Sequence, residues 1–169
     1  DYKVLVLTIS EDQIPPSLQE AISDSSQEIN ADDASKLIGC INALSKRMLL
    51  DAGLLKESDP EPMRRAVAFC QSIRVSKRIA GVFNVQREVY YQSLSPEERS
   101  SLVAIEAEHV DGTMGAAIRD DKLSWLKGAP PEGNESRILC NVRCLSEGID
   151  VPSLDAVLFL SPGTLATSA

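Results

Sequence analysis

Two hydrophobic periods alternate along this chain. Short, nearly continuous apolar runs occur at Tyr2 to Ile9, Arg65 to Cys70, Ile138 to Cys140 and Ala156 to Leu160. Their length and lack of polar alternation predict strands of a sheet covered on both faces. Between them the apolar residues recur at helical spacing: Leu37, Ile38, Ile41, Leu44 and Met48, then Ile73, Ile79, Ala80, Phe83 and Tyr90, then Met114, Ile118, Trp125 and Leu126. The last set predicts an amphipathic helix over 115–127, lying on the sheet. Asn30 can cap the first helix at Ala31, with Asp32 and Asp33 in its positive first turn, Lys46 and Arg47 in its last turns and Gly53 at its end. Ser72 can cap the second. Ser95-Pro96-Glu97-Glu98 reads as a cap, a proline at the first position and a capping-box glutamate. That helix is expected to run to about Ile105, followed by a short strand at Ala107 to Asp111. A further short helix fits 16–22. Alternating strands and helices imply parallel units with right-handed crossovers. The expected class is α/β, a three-layer αβα sandwich with a mainly parallel sheet of about five strands. Residues 1–162 form the expected domain and 163–169 a disordered tail.

Composition narrows the picture. The chain has 169 residues, 43% apolar and 25% charged, which suits one globular domain with a real core. Its longest apolar runs are far too short to cross a bilayer, so no membrane partner is expected. It enters a strand at Asp1-Tyr2-Lys3-Val4 without a methionine or a leader and reads as the middle of a longer protein. The net charge of −8 argues against a non-specific coat for nucleic acid but leaves room for a local track of bases. Lys46-Arg47, Arg64-Arg65, Arg74 to Arg78 and Arg137 to Arg143 are the basic clusters. Cys40, Cys70, Cys140 and Cys144 form no CxxC pair, and His109 is the single histidine, so no metal site is expected. That pattern fits a reducing cytoplasm.

Arg137 to Pro162 carries the most specific chemistry. Two apolar strands flank Glu147-Gly148-Ile149-Asp150-Val151-Pro152. Gly148 lets a ligand approach the backbone, and Asp150 can accept hydrogen bonds from a hydroxyl. Loops at the carboxyl ends of parallel strands are where such sheets bind ligands. This segment resembles motif V of superfamily 2 helicases. Ala66 to Ser72 resembles motif IV, an apolar strand with a Phe and a polar turn into a helix. His109-Val110-Asp111-Gly112-Thr113-Met114 resembles the His-Gly-type turn that follows the next strand, and Arg119 falls where the family often carries a phosphate-contacting Arg. In this order, over 65–162, the chain is similar to the second (C-terminal) RecA-like domain of a superfamily 2 DNA or RNA helicase, of the DEAD/DEAH-box or restriction type. It also departs from the pattern. No GxxxxGK[ST] loop and no DEAD-like tetrad occur. Residues 163–169 do not supply motif VI with its arginine finger. Asn141 and Val142 stand where many relatives have Thr, and Ala116 stands in place of the usual Gln.

The resemblance implies an ATP-dependent motor. Glu147, Gly148 and Asp150 would face the nucleotide, with ATP and Mg held mainly by an N-terminal RecA-like domain of the same protein. Ser72, Arg74, Gly112, Arg119, Asn141 and Arg143 would grip the backbone of single- or double-stranded nucleic acid, with DNA favoured over RNA and both left open. No residue of this chain is assigned a catalytic role, and the chain alone is not expected to hydrolyse ATP. His109 reads as a hydrogen-bonded turn residue, and Phe69 and Trp125 as core. Two other classes compete. A small-molecule-binding doubly wound domain needs a glycine-rich turn after the first strand, and Ser10-Glu11-Asp12-Gln13 offers none. A non-catalytic α/β interaction module would instead use the acidic surface for a basic partner.

Overall fold

The computed structural model describes residues 11–24, 29–47, 61–128, 134–142 and 154–160. The strand expected at Tyr2 to Ile9, together with Met48, Gly53 and Cys144, lies outside them. A 3-10 turn at Glu11–Gln13 precedes α1 (Pro16–Ser23) and α2 (Ala31–Leu44). Then follow β1 (Arg65–Phe69), α3 (Ile73–Gln92), α4 (Pro96–Ser100), β2 (Ala104–His109), α5 (Ala116–Lys127), β3 (Glu135–Asn141) and β4 (Ala156–Phe159). Four strands pair in the order β2-β3-β1-β4. Every pairing is parallel, with Ala68 opposite Cys140 and His109 likewise. The described sheet therefore has four strands where about five were expected.

The larger core joins α1, α2 and α3 to one face of the sheet, through Leu37, Ile41, Ile79, Phe83, Ala66, Ala68 and Ile138. A smaller cluster on the other face seats α5, through Val67, Val110, Leu126 and Leu139. This is the three-layer arrangement of a RecA-like domain. Cys40, Cys70 and Cys140 are free and buried in the larger core, as their apolar runs predict. Burial lifts the Cys40 thiol to about 12.

Caps behave as local chemistry dictates. Asn30 and Asp33 close a reciprocal capping box on α2, Ser72 accepts from Val75 N–H on α3, and Ser95 and Glu98 close a second box on α4. Helix α2 stops at Leu44, earlier than Lys46 and Arg47 suggested. The Ser45 hydroxyl donates to Ile41 O (2.6 Å) and accepts from Val103 N–H (2.9 Å), and Lys46 turns left-handed at φ 58. Helix α4 likewise ends at Ser100 rather than Ile105, because Leu102 and Val103 are drawn into the core and β2 begins at Ala104.

Among the described residues, the edge of β2 that pairs with no strand is closed by one helix, α3. Asn84 donates to Ala107 O (2.7 Å) and accepts from Ala107 N–H (2.9 Å). Arg87 donates to Ile105 O (2.7 Å). Tyr91 donates to Val103 O (2.6 Å) and accepts from Ile105 N–H (3.1 Å). These side chains occupy the ladder positions that a neighbouring strand would fill. At the other end of the described sheet, β4 differs from expectation. It is not covered on both faces: Ala156 and Leu158 pack on the larger core, whereas Val157 and Phe159 are 46% and 54% exposed. Phe159 stacks on Phe69 at 5.8 Å.

Gly81 lies within α3, is exposed, and an added Cβ there would meet nothing within 4 Å. Gly81→Ala should therefore stabilise the fold by about 0.5–1 kcal/mol, read as a raised melting temperature, because alanine loses less chain entropy in a helix.

Candidate nucleic-acid interface at the carboxyl rim

Parallel pairing gathers the carboxyl ends of all described strands at one rim. The turn after β1 leads to Ser72 and Arg74 at the start of α3. The turn after β2 carries Gly112 and leads to Arg119 in the first turns of α5. The Ser72 oxygen accepts from Val75 N–H at 3.2 Å, which leaves its O–H as a donor. Arg74 is exposed. Gly112 is exposed, and an added Cβ would meet nothing within 4 Å. Neither crowding nor backbone conformation demands glycine there. Arg119 is partly buried, and its Nε is enclosed without a hydrogen-bond partner. Helix α5 has Gly115 at its N-cap, so no side chain caps its first amides. Backbone donors at a helix start, a hydroxyl and guanidiniums are the groups that hold phosphates without reading sequence.

Asn141 does not belong to this open surface. It ends β3 fully buried, with Nδ2 donating to Ala68 O at 3.1 Å and Oδ1 unpartnered. An enclosed side chain offers no surface for a strand to lie on. Arg143, Glu147, Gly148 and Asp150 lie outside the described residues. Their flanking strands are placed: β3 ends at the carboxyl rim, and β1 lies between β3 and β4.

Several basic residues serve elsewhere. Arg65 donates to Leu126 O (3.0 Å) and Gly128 O (2.9 Å), and Arg137 donates to Trp125 O while lying 5.3 Å over the Trp125 ring. Both guanidiniums thus satisfy the carbonyls at the carboxyl end of α5, where cations also suit the helix dipole. Arg78 pairs with the buried Asp33 at 3.1 Å, tying α3 to α2. The clusters at 64–65 and at 137 therefore hold the fold at the amino-terminal end of the strands.

Sequence reasoning missed one group at the rim. The Ser76 hydroxyl lies 2.7 Å from His109 Nδ1, and His109 Nε2 lies 2.6 Å from Asp111 Oδ2. Asp111 Oδ1 accepts from Thr113 N–H (2.8 Å) and from the Thr113 hydroxyl. The Thr113 hydroxyl bond, followed by the His109 bond and helped by the Thr113 amide, outweighs burial and holds the Asp111 carboxyl down at about 2. Asp-Gly-Thr is a local turn signature and could have announced the Asp111–Thr113 pairing. Nothing in the sequence links Ser76 to His109, 33 positions away. A Ser, His and Asp in line invite comparison with a hydrolytic triad. Ser76 is fully buried, however, so no substrate carbonyl can reach its hydroxyl. Among the described residues no cluster of His, Cys, Asp and Glu could hold a metal ion.

Comparison with known proteins agrees with this geometry. The helicase conserved C-terminal domain matches residues 45–167. Among solved structures, the ATP-dependent Type ISP restriction-modification enzyme LlaBIII bound to DNA is similar. It shares 34% identity with a TM-score of 0.68 over 86% of this chain. The chain spans 9% of the length of that enzyme. No curated protein matches. Together with the parallel three-layer sheet and the rim, the matched segment and the shared fold place this chain in the helicase conserved C-terminal domain family.

Proposed function

We propose that this chain is the C-terminal motor lobe of an ATP-dependent helicase or translocase acting on DNA, and that its carboxyl rim grips the phosphate backbone. The observation that carries this reading is the convergence of Ser72, Arg74, Gly112 and Arg119 on one rim, with a glycine that the fold itself does not require. The similar enzyme is itself bound to DNA, which favours DNA over RNA. Nucleotide contact is assigned to Glu147, Gly148 and Asp150, outside the described residues, so no step of ATP chemistry is derived from this geometry. ATP and Mg belong mainly to an N-terminal RecA-like domain, and closure of two such lobes would shift the grip along the strand.

The test is DNA binding by fluorescence anisotropy across a salt series. Arg119→Ala should weaken binding about tenfold or more, as expected for one charge-assisted contact of about 1.5–3 kcal/mol. The slope of log affinity against log salt should fall by about 0.7 on single strands or about 0.9 on duplex. Gly112→Ala should keep the wild-type melting temperature, because its methyl meets open space, yet weaken binding where the backbone must approach a phosphate. Absence of salt-dependent DNA binding by the wild type, with capture of a basic protein instead, would overturn the motor reading in favour of an acidic interaction module.

A further inference from the structure

We propose that His109 is a positioning residue that locks the start of α3 to the turn 111–115, so that the two halves of the rim grip as one unit; this rests on the motor reading above. The chain of bonds runs from Ser76, in the first turns of α3, through both ring nitrogens of His109 to Asp111, and from Asp111 to Thr113. Ser76 lies one helical turn beyond the cap Ser72, and Asp111 immediately precedes Gly112. The bonds therefore connect the segment bearing Ser72 and Arg74 to the segment bearing Gly112 and leading to Arg119. Ser76, His109 and Asp111 are nearly or fully enclosed, with His109 at 9%, Asp111 at 0% and Ser76 at 0% exposure. Buried hydrogen bonds with both ends satisfied are stiff, because breaking one leaves a group unpaired.

The ionised Asp111 carboxylate can only accept, so Nε2 carries a proton and donates to Asp111, while Nδ1 shares the second hydrogen bond with the Ser76 hydroxyl. A purely local role would need only one of these bonds. Asp111 with Thr113 already closes the turn, and Ser72 already caps α3. The two-sided engagement of His109 is what connects the two segments.

Conservative variants separate the two ends. His109→Gln can keep a donor near the Nε2 position and so the Asp111 bond, but loses Ser76. His109→Asn can keep a hydrogen-bonding amide near the Nδ1 position and so the Ser76 bond, but loses Asp111. The linkage predicts that either variant weakens DNA binding about tenfold while Arg119, the phosphate contact, is intact. It also predicts faster amide hydrogen exchange at both 72–76 and 111–115 in both variants. With a single histidine in the chain, the ring nitrogen shifts of His109 can be assigned directly and should report a proton on Nε2 in the wild type. If His109→Gln restores wild-type affinity, or exchange rises at one segment only, the linkage is refuted and His109 merely anchors its own turn. If exchange rises at both segments but affinity is unchanged, the network does not serve the grip and the proposal also falls. A wild-type chain that binds no DNA is a separate result: it refutes the motor reading itself.

Discussion

Phe83→Ala should cost the domain about 3–5 kcal/mol, the largest loss expected from any single truncation here. Phe83 heads the fully buried side chains by volume, at 0% exposure. It lies on the inner face of α3 with Ile79 and Ala80, within the core that joins that helix to β1, β3 and the α1–α2 layer. Removing the ring forfeits its burial and leaves a cavity that rigid neighbours on several sides cannot collapse to fill. Urea unfolding checks it: the midpoint should drop sharply while the slope stays constant. Small domains hold only about 5–15 kcal/mol in total, so a loss of this size approaches the unfolding threshold at 37 °C. Phe83→Leu, which retains most of the volume, should fold and lose much less. A cost below about 1 kcal/mol for Phe83→Ala would mean that α3 is not seated as described. The consequence reaches the rim, because α3 carries Ser72 and Arg74 at its start.

What the sequence revealed and what it hid divide along a physical line. Caps are local, so Asn30, Ser72 and Ser95 could be read directly from the residues that follow them. The parallel topology followed from the alternation of buried strands and amphipathic helices. With it came the meeting of Ser72, Gly112 and Arg119, since parallel strands deliver their carboxyl ends to one side. Long-range polar pairing left no trace. Asn84, Arg87 and Tyr91 look like an ordinary polar and aromatic scatter on a helix, yet they close the edge of β2. Arg65 and Arg137 look like surface charge, yet they hold the carboxyl end of α5. Ile118 fits the apolar stripe of α5 but is 51% exposed, because only the far end of that helix, at Leu126, is fully seated. The motif order alone suggests a surface contact for Asn141. Its position opposite Phe69 in the sheet encloses it instead, and burial of that kind is decided by register, which no single segment encodes.

Tyr91→Phe should destabilise the domain by about 1–3 kcal/mol although it removes a single oxygen. The phenol is 8% exposed. It donates to Val103 O and accepts from Ile105 N–H, at 2.6 and 3.1 Å. Phenylalanine would leave both backbone groups without this partner at an edge that no other described strand covers. Burial, the leading cause, lifts the tyrosine hydroxyl to about 12, because the phenolate would be stranded away from water; the Ile105 bond pulls the other way but less strongly. A raised value means that the folded chain holds this proton more tightly than the unfolded chain does. The contribution is thus complete below the ordinary tyrosine value of about 10 and is lost as pH climbs through about 12. Thermal melts from pH 8 to 12 should show wild type and Tyr91→Phe converging at the alkaline end, with their gap constant at and below pH 9. Other groups that ionise in this range, including Cys40, are present in both proteins, so the difference between them isolates the phenol. A gap that stays fixed through pH 12, or no gap at all, would show that Tyr91 does not close this edge. In that case Asn84 and Arg87 alone would close this edge of β2, and the turn that follows His109 would have lost part of the frame that sets its place on the rim.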